Sequence, residues 1–131
     1  MPESFEQGGL LVNVTTLRGT FPVNGAAVTV FAGEYDTTTP IAKVFTDESG
    51  RTEKIMLDTK NKIFSETAGN GIPYTTYNIY TTADGYSGQF NMDIPIFSGV
   101  TSLQSVDLVP IAAEGNNSAP RIVDETPKFT L

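Results

Sequence analysis

The sequence contains no cysteine and no histidine. The absence of cysteine excludes disulfides, thiolate nucleophiles and the cysteine-based sites that hold zinc or iron–sulfur clusters. The absence of histidine removes the commonest metal ligand, the usual general base near neutral pH and the Ser-His-Asp triad. We therefore expect no cofactor, no metal site and no enzymatic activity.

Basic residues are also scarce, since 8 Lys and Arg stand against 15 Asp and Glu and the net charge is −7. A surface with this balance repels phosphate backbones, so nucleic acid is not an expected partner. Residues 1–7 have neither the basic nor the apolar region of a signal peptide. No apolar run approaches the roughly 20 residues that cross a bilayer. We expect no membrane partner and either a cytoplasmic or a spore-associated location, unless the chain is a domain cut from a longer protein.

The 131 residues fit one domain. Along them, Val, Ile, Thr, Tyr and Phe alternate with a period of two, and Gly, Pro, Asn and Asp interrupt the alternation. No window shows a convincing helical stripe. Seven runs predict strands, at residues 10–16, 27–31, 41–46, 52–57, 75–83, 86–96 and 102–109. Seven short strands without helices predict an all-β fold, a seven-stranded antiparallel β-sandwich.

The sixth run passes through the apolar residues Phe90, Met92, Ile94 and Ile96, which alternate with other residues. Pro95 lies within the same run and cannot donate a hydrogen bond to a neighbouring strand. This end of the strand is therefore predicted to be an edge or a bulge.

Five residues are interpreted as structural turn positions. Asp47 begins a tight turn that ends at Gly50, because Asp can hydrogen-bond its own backbone and Gly accepts a positive φ. Asp84 and Gly85 predict a hairpin. Gly25 lets the chain turn into the second predicted strand.

The composition divides the chain into three parts. Residues 1–8 are predicted to form an N-terminal extension, residues 9–111 the sandwich domain, and residues 112–131 a linker-like C-terminal tail. The break within the tail is the segment NNSAP at 116–120. Apolar residues beyond it, from Ile122 to Leu131, could pack elsewhere, including on a neighbouring subunit.

Four segments, in this order, carry a resemblance to a known family. They are GLLVNV (9–14), PVNGAAVTV (22–30), TDESGRT (46–52) and TADGY (82–86). With these four segments in this order, the chain resembles the carboxypeptidase regulatory-like domains. Those domains are seven-stranded sandwiches with a transthyretin-like (prealbumin-like) topology. The resemblance covers residues 9–110 and implies a fold rather than a reaction.

Two further segments carry a narrower resemblance. IPYTTYNI (72–79) and IFSGVTSLQSVDLVP (96–110) are similar to segments of clostridial proteins that resemble the sandwich domain of spore cortex-lytic enzymes. In those proteins the domain accompanies modules that degrade or bind peptidoglycan and is not itself the hydrolase. The resemblance implies peptidoglycan or a cell-wall protein as partner.

Enzymatic alternatives are weaker. Asp47 with Glu48, or Glu34 with Asp36, could form the carboxylate pair of a glycosidase, but turn and solvated loop roles explain them as well. These residues also lack the spaced Asp/Asn pattern of a calcium site. Transthyretin-like folds include hydroxyisourate hydrolases, whose sites depend on histidines and a C-terminal Tyr-Arg-Gly-Ser-type motif. This sequence has no histidine and ends in KFTL, so that activity is not expected.

Four tyrosines, Tyr74, Tyr77, Tyr80 and Tyr86, are the candidate ligand-binding residues. They cluster around the fifth run and its hairpin, and sugars and peptides commonly stack on such rings. Tyr80 is opposite in phase to Tyr77, so one belongs to the core and the other to the surface. The alternative is that tyrosine simply suits a half-buried sheet surface. The long segment 58–73 would be a lid for this site or a surface crossover.

Two functions follow from these observations. The first is a non-catalytic binding or scaffolding module associated with spore cortex or cell-wall peptidoglycan. The alternative is a structural subunit with no small ligand, which assembles through edge strands and its C-terminal tail, for example as a homodimer.

Overall fold

The computed structural model describes residues 6–33, 38–59, 74–111 and 121–125. Nine strands form within these ranges. They are β1 (Glu6–Thr16), β2 (Phe21–Pro22), β3 (Ala27–Ala32), β4 (Pro40–Phe45), β5 (Ile55–Thr59), β6 (Thr75–Thr82), β7 (Gln89–Ile96), β8 (Thr101–Leu108) and β9 (Arg121–Asp124). In the same ranges no helix is long and apolar enough to cross a membrane.

The strands form two sheets, called sheet A and sheet B. In sheet A, β1 is central: β8 lies along one side, and β5 and β2 pair with successive parts of the other side. Sheet B has the order β4-β3-β6-β7-β9. The predicted all-β sandwich is confirmed.

The strand directions differ from the prediction in two places. β1 and β8 run parallel, and so do β7 and β9, so the sandwich is not wholly antiparallel. The chain crosses from β7 in sheet B to β8 in sheet A instead of making a hairpin within one sheet. β2 has only two residues, too few for a recognisable alternation.

Both predicted end segments contribute residues to the sheets. Residues 6–8 at the start of β1 pair with β5, and β9 pairs with β7 at residues 89–92. β9 was missed as a strand because it is short and its apolar Ile122 is 72% exposed, which gives no core-facing pattern. The division at residues 8 and 112 otherwise stays a prediction.

The sixth predicted strand begins later than expected and changes face partway. It starts at Gln89, not at Tyr86, which makes only an isolated bridge with Pro110. A bulge interrupts the β6–β7 pairing, and Asp93 there has a φ of 60°. Pro95 lies beyond this bulge, in the part of β7 that β9 does not cover, as the sequence predicts.

The core lies between the two sheets. Every strand from β1 to β8 except β2 and β4 contributes buried apolar side chains, and Val23 and Ala26 join them from the segment before β3. The cluster comprises Leu10, Val12, Val14, Val23, Ala26, Val28, Val30, Ile55, Leu57, Tyr77, Ile79, Ile94, Ile96, Val106 and Leu108. Burying one such large side chain stabilises the fold by roughly 1.5–3 kcal/mol, so this layer holds the outward-facing residues in place.

Candidate ligand-binding surface

Tyr77 belongs to the core. It lies in the buried cluster, and its hydroxyl donates a hydrogen bond of 2.6 Å to the backbone carbonyl of Asp58 in β5. Burial, assisted by the Asp58 charge, raises the pKa of Tyr77 above its usual range. Tyr77 therefore ties sheet B to sheet A and presents no ring to a ligand.

Tyr80 lies on the opposite, outward face of sheet B. Its ring stacks against Phe90 in β7, with centroids 4.4 Å apart and planes tilted by 35°. The strand register places one residue of each neighbouring strand in line with this pair. The line crosses all five strands of sheet B and consists of Lys43, Thr29, Tyr80, Phe90 and Ile122. We call these five residues the aromatic row.

Gly88 makes room for the Tyr80 ring. A Cβ built on Gly88 would collide with the Tyr80 hydroxyl and lie 2.7 Å from its Cζ. The phenol therefore leans across β7 above the Gly88 backbone. A glycine at this position leaves the space that the end of the Tyr80 ring occupies.

A second row of side chains braces the same face. Phe31 and Met92 are each only 7% exposed, yet neither belongs to the core cluster between the sheets. Between their strands, the Asn78 side chain donates to the Ala32 carbonyl and accepts from the Asp93 N–H, at 3.1 and 2.8 Å. These contacts fix β3, β6 and β7 relative to one another next to the aromatic row.

Tyr74 and Tyr86 lie elsewhere. The Tyr74 ring is 5.7 Å from that of Phe97, near the other end of β6. Tyr86 lines a cleft of about 530 Å³ together with Asn24, Phe45 and Asp84. The four tyrosines therefore do not form one site, and Tyr80 is the one that lies on the outward face of sheet B.

Asp47 organises its turn through its carboxylate. One carboxylate oxygen accepts hydrogen bonds from the N–H groups of Ser49 and Arg51, at 2.8 and 3.1 Å. These bonds, led by the one from Arg51, lower the pKa of Asp47 below its usual value. Gly50 closes the turn with a φ of +80°, and a Cβ there would collide with the Val14 carbonyl.

The other predicted turn positions also have the expected geometry. Gly25 has a φ of +78° and Gly85 one of +88°. The Tyr86 N–H donates to the Ala83 carbonyl, which closes the turn over Asp84 and Gly85. These residues connect strands, and among them Asp84 and Gly25 also line the cleft beside Tyr86.

Several predicted features fall outside the described residues. They are the pair Glu34 and Asp36, positions 60–73 of the proposed lid, and positions 112–120 and 126–131 of the tail. Within the described ranges, no group of three or more acidic side chains is placed to hold a metal ion.

Sequence reasoning missed Phe90 as a surface residue. The sequence places it in one alternating run with Met92, Ile94 and Ile96, but the bulge at Asp93 reverses the alternation. Phe90 and Met92 consequently face outward, whereas Ile94 and Ile96 remain in the core. The polar Gln89 and Asn91 take the buried positions. Their alternation with the apolar Phe90 and Met92 was the one indication in the sequence that a stretch of β7 buries polar side chains.

Comparison with known proteins adds the fold class. No family model matches the chain, and no curated protein matches it. Among solved structures, 3-chlorocatechol 1,2-dioxygenase from Rhodococcus opacus 1CP aligns with a TM-score of 0.52 and 13% identity, over 82% of this chain and 62% of that chain. Catechol 1,2-dioxygenase from Acinetobacter sp. ADP1 aligns with a TM-score of 0.53 and 9% identity, over 83% and 54%.

A third similar structure is GBS52, the minor pilin of Streptococcus agalactiae, with a TM-score of 0.48 and 14% identity over 97% of this chain and 49% of that chain. This chain spans about half to three fifths of the length of these three proteins. At such identities the likeness establishes a fold alone, the transthyretin-like (prealbumin-like) β-sandwich. It carries no activity from the dioxygenases to this chain.

Proposed function

We propose that this chain is a non-catalytic binding module that recognises the glycan of cell-wall peptidoglycan, with the aromatic row as its contact surface. The observation that carries the proposal is the stacked pair Tyr80–Phe90 on the outward face of sheet B, with ring centroids 4.4 Å apart, beside the Asn78 contacts that join β3, β6 and β7. The two rings are half-buried, and the exposed Ile122 continues them to the edge strand β9, so the row leaves apolar surface accessible, and such surface commonly marks an interaction site.

The chemistry of the row suits a saccharide. A sugar ring has an apolar C–H face that packs on aromatic rings, and polar edges that need hydrogen-bond partners. Tyr80 and Phe90 supply the rings, while the Thr29 hydroxyl and the Lys43 ammonium group stand on the neighbouring strands. A flat face of this kind fits a polymer better than a small molecule, which is usually held in a concave pocket.

Peptidoglycan is favoured among glycans by the resemblance of residues 72–79 and 96–110 to the spore cortex-lytic sandwich domains. Charge supports a specific contact, because a chain of net charge −7 gains nothing from non-specific attraction to anionic wall polymers. A non-catalytic role agrees with the absence of cysteine and histidine.

Co-sedimentation with purified spore-cortex and vegetative peptidoglycan tests the proposal. The wild-type chain should pellet above the level of an unrelated acidic β-sandwich, and Tyr80→Ala should weaken this binding about two- to tenfold, since one aromatic contact contributes about 0.5–1.5 kcal/mol. Phe21→Ala is the matched control, because Phe21 is exposed on β2 of sheet A, away from the row. Equal pelleting of wild type and the unrelated protein would refute the proposal.

A second candidate function is a structural subunit that assembles through its edge strands. The observation that favours it is the edge of β8, which pairs with β1 alone in the described part of the chain and has no charged residue at positions 101–106. The two functions use different sheets and are therefore compatible.

A further inference from the structure

β8 forms an edge of sheet A within the described part of the chain, where it pairs with β1 alone. Its side chains Thr101, Leu103 and Ser105 are exposed, and Leu103 retains 64% of its accessible surface. An edge strand with unpaired backbone groups is a template for another strand.

The register shows which backbone groups are unpaired. In a parallel ladder, alternate residues direct both backbone groups to the same neighbour. Gly9 donates to the Val100 carbonyl, and Leu11 lies opposite Leu103, so the even-numbered residues of β8 bond to β1. Thr101, Leu103 and Ser105 direct their backbone groups to the open side, where the Ser105 carbonyl already accepts one bond from the Gln104 amide.

The edge lacks the features that normally prevent pairing. Charged residues, proline and bulges protect exposed edges, and β4, at one edge of sheet B, contains Pro40 and Lys43. Residues 101–106 of β8 read TSLQSV and contain none of these protective features. In a chain of net charge −7, a neutral edge is where a second, equally acidic copy can approach.

We propose that β8 pairs antiparallel with β8 of a second copy of this chain, about a two-fold axis at Leu103, and joins the two A sheets. In this register Leu103 faces its own counterpart, Thr101 faces Ser105, and Asp107 falls opposite Gly99. The Asp107 carboxylates therefore stay apart, whereas an axis nearer Asp107 would bring like charges together. The aromatic row lies on the other sheet and remains free.

Sedimentation velocity over a range from low micromolar to millimolar protein tests the proposal. The mass should rise with concentration from 14.1 kDa toward twice that value. Leu103→Lys places two ammonium groups at the axis and should hold the mass at that of one chain. Ser105→Pro removes an outward N–H without touching the bonds to β1 and should do the same. If Ser105→Pro does not fold, the mass of Leu103→Lys alone shows whether association depends on β8.

Controls separate this edge from other surfaces. Met56→Lys changes another exposed apolar residue of sheet A, on β5, and should leave association unchanged, as should Tyr80→Ala. A wild-type mass of one chain at every concentration would overturn the proposal, as would association that survives both β8 variants or growth beyond two chains. Loss of association in Phe129→Ser alone would assign the contact to the C-terminal segment and equally overturn it.

Discussion

The Tyr80 hydroxyl occupies the space that a side chain at Gly88 would need. The ring can therefore lean over β7 and stack on Phe90, so one missing Cβ determines how an aromatic surface is presented. A glycine just before β7 thus affects how a ring on the neighbouring strand β6 is placed.

Gly88→Ala should displace the Tyr80 ring and weaken peptidoglycan binding while every aromatic side chain is retained. The collision involves the far end of a flexible side chain, and φ at Gly88 is not in the left-handed region, so we expect the free energy of unfolding to change by less than about 1 kcal/mol. Co-sedimentation and thermal unfolding measure the two effects. Undiminished binding would show that the orientation of Tyr80 does not matter.

The sheet faces could be predicted from the sequence only as far as the alternation held. Period-two patterning placed β1, β3 and β5 correctly, because each runs without interruption and has one buried face. On β7, the bulge at Asp93 moves every preceding residue to the other face, and a period of two cannot reveal where the phase changes. The stacked pair Tyr80–Phe90 was hidden by that single residue.

Gly50→Ala should destabilise the protein more than Gly25→Ala. Both glycines have φ near +80°, so alanine costs about 1–2 kcal/mol of backbone strain at either position. A Cβ at Gly25 meets nothing within 4 Å, whereas one at Gly50 collides with the Val14 carbonyl and lies 3.1 Å from the Pro22 Cβ. Chemical denaturation of the two variants measures the difference. Equal losses would mean that β1 moves away without cost.

Asp47→Asn should reduce stability at pH 7, and the difference from wild type should shrink in acid. Backbone N–H groups of Arg51 and Ser49 favour the charged carboxylate, so the pKa of Asp47 in the folded chain lies below its ordinary value of 3.8. The resulting stabilisation is present above that value and disappears as the pH falls through the lowered pKa. Thermal unfolding of wild type and Asp47→Asn between pH 7 and about pH 2 measures this loss of stabilisation. A constant difference across this range would contradict the assignment.

Tyr77→Phe should cost about 1 kcal/mol near neutral pH, because the variant loses the hydrogen bond to the Asp58 carbonyl. Burial raises the pKa of Tyr77 above its ordinary value of 10.0. The stabilisation is complete below that value and declines as the pH rises toward the raised pKa, since the unfolded chain ionises first. The free energies of unfolding of wild type and Tyr77→Phe should therefore converge at alkaline pH. A difference that widens with pH would contradict this prediction.

The position of β9 shows the other limit of sequence reasoning. Its apolar residues do not enter the core cluster, so no periodic pattern distinguishes the strand from a linker. It is held instead by the backbone ladder to β7 and by Glu125, whose carboxylate accepts from Asn91 at 2.6 Å and from Gln104 at 3.1 Å. Such hydrogen bonds join residues far apart in the chain, so neither composition nor local periodicity predicts them.

Glu125→Ala should therefore destabilise the fold by about 1–3 kcal/mol, because it leaves the fully buried Asn91 amide without its acceptor. The same change should weaken peptidoglycan binding, since β9 carries Ile122 to the end of the aromatic row. Glu53→Ala removes an exposed carboxylate and should change stability by no more than about 0.5 kcal/mol. Chemical denaturation and co-sedimentation of both variants provide the comparison. Lost stability with unchanged binding would remove Ile122 from the ligand-binding surface and leave Tyr80 and Phe90 as its centre.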